Sequence, residues 1–187
     1  MRRLAVFNHV SLDGFFTDAR GDMSFAHNSR QDPEWDAFVE QNASESGTLV
    51  FGRVTYEMMA GFWPTPAAAQ MMPAVADRMN AFPKIVFSRT LDKVTWKNAT
   101  LVPGDAAIEM RRLKKEDGEP LTILGSGKLV ASLARQGLVD DYHLVVNPVL
   151  LGAGRTMFEG IRDRQRLKLT GTRRFANGNV LLGYETM

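Results

Sequence analysis

The sequence predicts an α/β fold of three layers, α/β/α, with a mostly parallel mixed central sheet and a C-terminal antiparallel hairpin. Three observations lead there. Short apolar runs of strand length alternate with helical patterns in the order β-α-β-α-β-α-β-α-β. A strand running through glycine into a helix occurs twice, at Gly52 and at Gly125. Asn177-Gly178 then stands between two β-patterned runs, a strong hairpin signal. With 187 residues, 44% hydrophobic and 24% charged, the chain suits one domain over 1–187 with a single main core.

The elements follow in order. Leu4 to Val10 is an apolar run that enters a polar loop from Ser11 to Met23, marked by Asp13-Gly14 and Gly21-Asp22. Asp32-Pro33-Glu34 reads as an N-cap, a first-turn proline and an early acid, opening a helix with Trp35, Phe38 and Val39 on one side and an end near Asn42. Thr48 to Phe51 is a buried-strand pattern; Gly52-Arg53 turns it into a helix beginning at Val54. Pro64 and Pro66 predict a loop over Gly61 to Pro66, and Pro73 opens a further helix through Asn80. Lys84 to Ser88 and Ala99 to Val102 are strands, and a helix runs from about Asp105 to Lys115. Leu121 to Leu124 enters Gly125-Ser126-Gly127 and a helix from Lys128 to Gln136, which Gly137 terminates. Tyr142 to Val146 is a strand, and Leu167 to Phe175 with Val180 to Glu185 form the hairpin.

Composition excludes several functions. Lys and Arg exceed Asp and Glu by only two, 23 against 21, too weak a field to argue for nucleic acid. Zero cysteines remove thiol catalysis, disulfides and thiolate zinc sites. The three histidines, His9, His27 and His143, have no ligand spacing, so no metal is expected. No run approaches a membrane span, and no leader is visible, so a cytoplasmic protein with no membrane partner is expected. Met58, Met59, Met71, Met72 and Met79 with Phe62 and Trp63 suit a core or a dimer surface better than a ligand wall.

Candidate chemistry lies at strand ends, where open α/β sheets bind ligands. Gly125-Ser126-Gly127 offers backbone N–H groups and a helix dipole to an anion. It is not a phosphate loop, because Thr122 and Leu129 occupy the positions that need glycine and Ser or Thr. Nor is it a Rossmann turn, because Val130 stands at the third glycine. Gly52-Arg53-Val54-Thr55 adds an arginine and a hydroxyl at a second junction, and Ser88-Arg89 a third small and cationic pair. Each also suits an ordinary turn or cap.

Read together, these segments resemble one family over nearly the whole chain, the dihydrofolate reductase-like proteins. Within it the resemblance is to the reductase domain of the riboflavin-pathway deaminase-reductases. The blocks that carry it are Ser11-Leu12-Asp13-Gly14, Leu49 to Tyr56, Ile85 to Arg89, Ile123 to Leu129, Gly137 to Asp141, and Pro148 to Gly154. The resemblance implies an NADPH site: Gly52, Arg53 and Thr55 near the phosphates, Ser88 and Arg89 near the adenosine 2′-phosphate, and Gly125, Ser126, Gly127 and Lys128 under the pyrophosphate. Two arginines suit a dianionic 2′-phosphate, so NADPH is preferred over NADH. The resemblance also implies a catalytic acid at Asp36, on the helix that carries the pterin-binding carboxylate of folate-reducing relatives. Beside Trp35 in an apolar cleft, such an acid would have a raised pKa.

The implied activity is hydride transfer from NADPH to a small pyrimidine-like, pterin-like or sugar-derived substrate, as in the reductase that converts a ribosylamino-pyrimidine phosphate to its ribitol form. Dihydrofolate or pterin reduction is the alternative, although Ala81-Phe82-Pro83 stands where folate reductases carry a tail-binding arginine. A non-catalytic NADPH-binding protein is the alternative of another class. Without cysteines the chain lacks the companion zinc deaminase, so a stand-alone homodimeric reductase is implied, with the Ser11 to Met23 loop as a candidate lid.

Overall fold

Ten strands and six helices alternate along the chain of a computed structural model, which describes residues 1–27, 31–44 and 47–187. In order they are β1 (Leu4–Ser11), β2 (Thr17–Asp18), α1 (Pro33–Ser44), β3 (Thr48–Gly52), α2 (Arg53–Phe62), α3 (Pro66–Met71), α4 (Pro73–Ala81), β4 (Lys84–Phe87), β5 (Ala99–Val102), α5 (Ala106–Lys115), β6 (Leu121–Leu124), α6 (Gly127–Arg135), β7 (Asp141–Asn147), β8 (Gly154–Arg155), β9 (Leu167–Arg174) and β10 (Val180–Thr186). Eight strands form the main sheet in the order β5-β4-β3-β6-β1-β7-β10-β9, and β2 pairs with β8 apart from it. From β5 to β7 every pairing is parallel; β10 runs antiparallel to both β7 and β9.

The central strands are apolar on both faces because both are covered. Helices α5 and α6 lay Met110, Leu113, Val130 and Leu133 against Leu4, Val6, Leu121 and Ile123 on one face. On the other, Tyr56 of α2 with Val75 and Met79 of α4 packs on Leu49, Phe51, Val86 and Trp96. Each large apolar side chain so buried contributes about 1.5–3 kcal/mol.

Chain direction fixes where a site can form. From β1 the chain crosses β6 to reach β3 through α1; from β6 it crosses β1 to reach β7 through α6. Right-handed crossovers in opposite directions put α1 and α6 on opposite faces. Neighbouring strands β1 and β6 therefore send their connections apart and leave a crevice at their carboxyl ends.

Two expectations need correction. Only part of Gly61 to Pro66 is a loop: Pro66 opens α3, with Thr65 as its N-cap accepting from the Ala68 N–H at 3.3 Å. A proline at the first helical position loses a donor that is unpaired there in any helix. The segment after β1 is fastened rather than loose. The Leu12 N–H donates to Val149 at 2.9 Å, the Phe16 N–H to Arg155 at 2.9 Å, and the Leu151 and Gly152 N–H groups to the Asp13 carboxylate at 3.1 and 2.7 Å.

Candidate functional site

Along the carboxyl edge of the sheet the strand ends follow one another as Val102, Phe87, Gly52, Leu124, Ser11 and Asn147. Five of the residues singled out from sequence meet in the middle of this row. The Gly52 N–H donates to Ser126 Oγ at 2.8 Å, the Ser126 N–H donates to Thr55 Oγ1 at 3.0 Å, and Ser126 Oγ donates to the Leu124 carbonyl at 3.3 Å. Gly125 and Ser126 both have positive φ, +60° and +59°. Only glycine fits Gly125, since a Cβ there would lie 3.0 Å from Thr55. Gly127 has no room for a side chain either, because the Phe16 ring occupies that space. The two hydroxyls thus lock the turn after β6 to the start of α2.

That arrangement leaves two helix N-termini open. Ser126 precedes α6 as an N-cap should, yet in the left-handed conformation its hydroxyl serves Gly52 and caps nothing. Among the described residues, the N–H groups of Gly127, Lys128 and Leu129 have no acceptor. Helix α2 follows Gly52 and likewise lacks a side-chain cap, and neither helix has an acidic residue in its first turn. By contrast α1, α3 and α5 are capped by Asp32, Thr65 and Asp105. Helix α4 is uncapped as well, but Pro73 removes its first donor. Open N–H groups and the positive ends of two helices favour an anion between them.

Charged side chains flank the corner. Lys128 and Arg53 are exposed at the starts of α6 and α2, and Arg53 forms an i,i+4 ion pair with Glu57 at 2.9 Å. One strand further out, Ser88 Oγ accepts from the Thr90 and Leu91 N–H groups at 3.1 and 3.0 Å, so its hydroxyl is spent on its own turn. Arg89 is exposed, and its charge helps hold the Asp105 carboxyl below the usual range, behind the larger effect of N–H donation from Ile108 and Ala107.

On the other side of β1, α1 closes over the sheet. Trp35, Phe38, Phe175, Phe7 and His9 form one aromatic cluster, with Trp35 and Phe175 ring centroids 5.0 Å apart and Trp35 and His9 5.8 Å apart. The sequence places Asp36 in an apolar cleft beside Trp35; the Asp36 side chain is instead exposed. The buried carboxylate of this segment is Asp32. It accepts from the Asn177, Glu34 and Trp35 N–H groups at 2.9, 3.1 and 3.2 Å, and those donors, Asn177 first, hold it below the ordinary range.

His9 escapes a motif search because a histidine in a strand has no signature. Burial pushes its pKa down to about 4, against the raising effect of the Asn147 amide 3.3 Å from Nδ1, so the ring is neutral at pH 7. Asn147 itself is buried, its Nδ2 donating to the Val10 and Val145 carbonyls at 3.0 and 3.1 Å. Two concavities lie away from this edge: one of about 390 Å³ beside Arg135 and Arg162, and one of about 460 Å³ beside Trp96 and Asn80. Neither touches the uncapped corner.

A three-layer α/β/α arrangement around an eight-stranded, mostly parallel sheet with an antiparallel C-terminal pair is the dihydrofolate reductase-like fold. More particularly, the chain belongs to the RibD C-terminal domain family, whose pattern it matches over residues 2–181. It is 27% identical to YyaP of Bacillus subtilis (strain 168) over 183 residues, 98% of this chain and 94% of that protein. A protein from Shewanella sp. PV-4 named for riboflavin biosynthesis has a similar fold, with TM-score 0.70, 20% identity and 99% of both chains covered. So has a diaminohydroxyphosphoribosylaminopyrimidine deaminase/5-amino-6-(5-phosphoribosylamino)uracil reductase from Thermotoga maritima, with TM-score 0.66 and 15% identity, of which this chain matches 57% along its whole length. No helix among the described residues is long and apolar enough to cross a membrane.

Proposed function

We propose that the chain is an NADPH-dependent reductase acting on a small pyrimidine-like or sugar-derived substrate. The observation that carries this is the corner where α2 and α6 start side by side without caps. A pyrophosphate needs backbone donors and nearby cations. The N–H groups of Gly127, Lys128 and Leu129 supply the donors, and the side chains of Arg53 and Lys128 the cations. Thr55 and Ser126 support the site from behind, since their hydroxyls are engaged with the backbone. Arg89 is the group for the 2′-phosphate, and Ser88 shapes the turn that carries it.

When bound, the reduced nicotinamide supplies a hydride. The chain supplies position and field: the donors of α6 bind, the fastened loop from Ser11 to Asp13 borders the crevice, and His9 stays neutral. Asp36 stands exposed on α1 as an orienting carboxylate at the rim. That exposure is also what gives a non-catalytic NADPH-binding protein its footing, and turnover separates the two.

The test is to titrate the protein with NADPH and follow absorbance loss with pyrimidine, pterin and carbonyl substrates. Tight NADPH binding with oxidation by one class supports the reductase. Tight binding with no oxidation favours the binder, and no affinity for NADPH defeats both. Lys128→Ala and Arg53→Ala are each expected to weaken NADPH by about tenfold.

A further inference from the structure

The positive charge of the chain is gathered in one segment. Between Arg155 and Arg174 stand seven arginines and lysines but only two acids, Glu159 and Asp163, while the rest of the chain is net acidic. Some of these cations are spent on ion pairs, Lys168 with Glu185 and Arg173 with Glu34. Among the described residues, Arg162, Arg164 and Arg166 have no such partner, and neither has Arg135 at the end of α6. Two of these free guanidinium groups share a concavity of about 390 Å³, which Arg135 and Arg162 line with Gly160, Ile161, Asp163 and Gln165. Three features build it. Gln165 Nε2 donates to the Ala134 carbonyl at 2.6 Å, tying the segment after β8 to the last turn of α6. Ile161 packs against the main core. Gly160 has φ +75°, and a Cβ there would lie 2.9 Å from Arg135 Nη1, so the guanidinium sits in space that only glycine leaves.

We propose that this concavity binds a small phosphate ester, with Arg135 and Arg162 holding the phosphate. Guanidinium forks give charge-assisted, bidentate bonds to phosphate oxygens. Two of them facing one hollow without a counter-charge repel each other, and a dianion turns that repulsion into attraction. Asp163 belongs to the same lining yet pairs with neither arginine. As a carboxylate it repels the phosphate and accepts from hydroxyl groups, so it suits the sugar-like part of an ester better than inorganic phosphate alone. The volume also suits a ligand of that size. The site lies at the opposite end of α6 from the Gly127 N–H group, nine residues or about 13 Å along the helix axis. It is therefore distinct from the proposed cofactor corner, and the inference is independent of the reductase reading.

Backbone amide NMR titrations with glucose 6-phosphate, inorganic phosphate and glucose decide it. Glucose 6-phosphate is expected to shift the amides from Gly160 to Gln165 saturably, inorganic phosphate to shift the same amides more weakly, and glucose to shift none. Arg135→Gln and Arg162→Gln are each expected to raise the dissociation constant about tenfold, with circular dichroism unchanged. Asp163→Asn is expected to lower that of inorganic phosphate about twofold, because a repelling charge is gone. Arg174→Gln removes the same charge at the other end of β9 and is expected to leave affinity within about twofold. Absence of saturable shifts from Gly160 to Gln165 would overturn the proposal, as would equal losses in the Arg174 and Arg135 variants. Duplex DNA binding that needs Arg164 and Arg166 but neither Arg135 nor Arg162 would also overturn it, assigning the charge to a long polyanion.

Discussion

The two flanks of β1 treat their polar groups in opposite ways. Toward α1 and the β9–β10 hairpin, most donors and acceptors answer one another: Asp32 takes three N–H groups, Asn147 holds two carbonyls, and aromatic rings fill much of the remaining space, the buried Asn179 side-chain amide being the exception. Toward α2 and α6, the hydroxyls that would cap the helices are turned to cross-linking strand ends, and helix N–H groups are left open. The closed flank holds the sheet together; the open one is where the proposed cofactor phosphates would bind.

Acid should break the closed flank first. The pKa of His9 is lowered from 6.5 to about 4, so between those values the unfolded chain binds a proton that the folded one refuses. Stability from this group is complete above pH 6.5 and falls as pH drops toward 4, by roughly 3 kcal/mol in total. Urea denaturation across that range is expected to show the slope in wild type, and His9→Gln to flatten it. A step smaller, Gly125→Ala should cost about 2 kcal/mol, because alanine is strained at φ +60° and its Cβ meets Thr55. It is also expected to weaken NADPH, whereas His9→Gln leaves NADPH affinity unchanged. Equal effects of the two on binding would erase the distinction between the flanks.

Smaller effects sharpen the open flank. Arg89→Ala is expected to weaken NADPH about tenfold and NADH by less than twofold, read from fluorescence titrations of both. Glu57→Gln frees Arg53 from its ion pair, and because both partners are half exposed the expected gain in NADPH affinity is only about twofold. A loss in that variant would mean that Glu57 holds Arg53 in its binding position.

Much of this was legible in the sequence. Periodicity gave the strands and helices of the three layers, and Asp32-Pro33-Glu34 gave the cap of α1. The glycines at Gly52 and Gly125 marked the ends of β3 and β6, which the structure brings side by side. What the sequence could not show was which way a side chain is spent. The resemblance sets Ser126 under the pyrophosphate and Thr55 near the phosphates, yet their hydroxyls bond to backbone 74 and 71 residues away. Asp36 and Asp32 are four positions apart on one segment, and only tertiary packing decides that Asp32 is covered. Lys84 heads a strand, where a lysine normally reaches solvent; instead it is buried, donating to the Asn80, Phe82 and Lys97 carbonyls at 3.3, 2.7 and 3.1 Å. The β2–β8 pair, only two residues long on each strand, is too short to leave any periodicity.

The most direct test of the open corner is a backbone amide NMR titration with NADPH. The largest shifts are expected at Gly127, Lys128 and Leu129 and in the first turn of α2, with the amides of Glu34, Trp35 and Asn177, already bound to Asp32, nearly unmoved. Shifts centred on α1 and the hairpin, with the α6 N-terminus silent, would contradict the account.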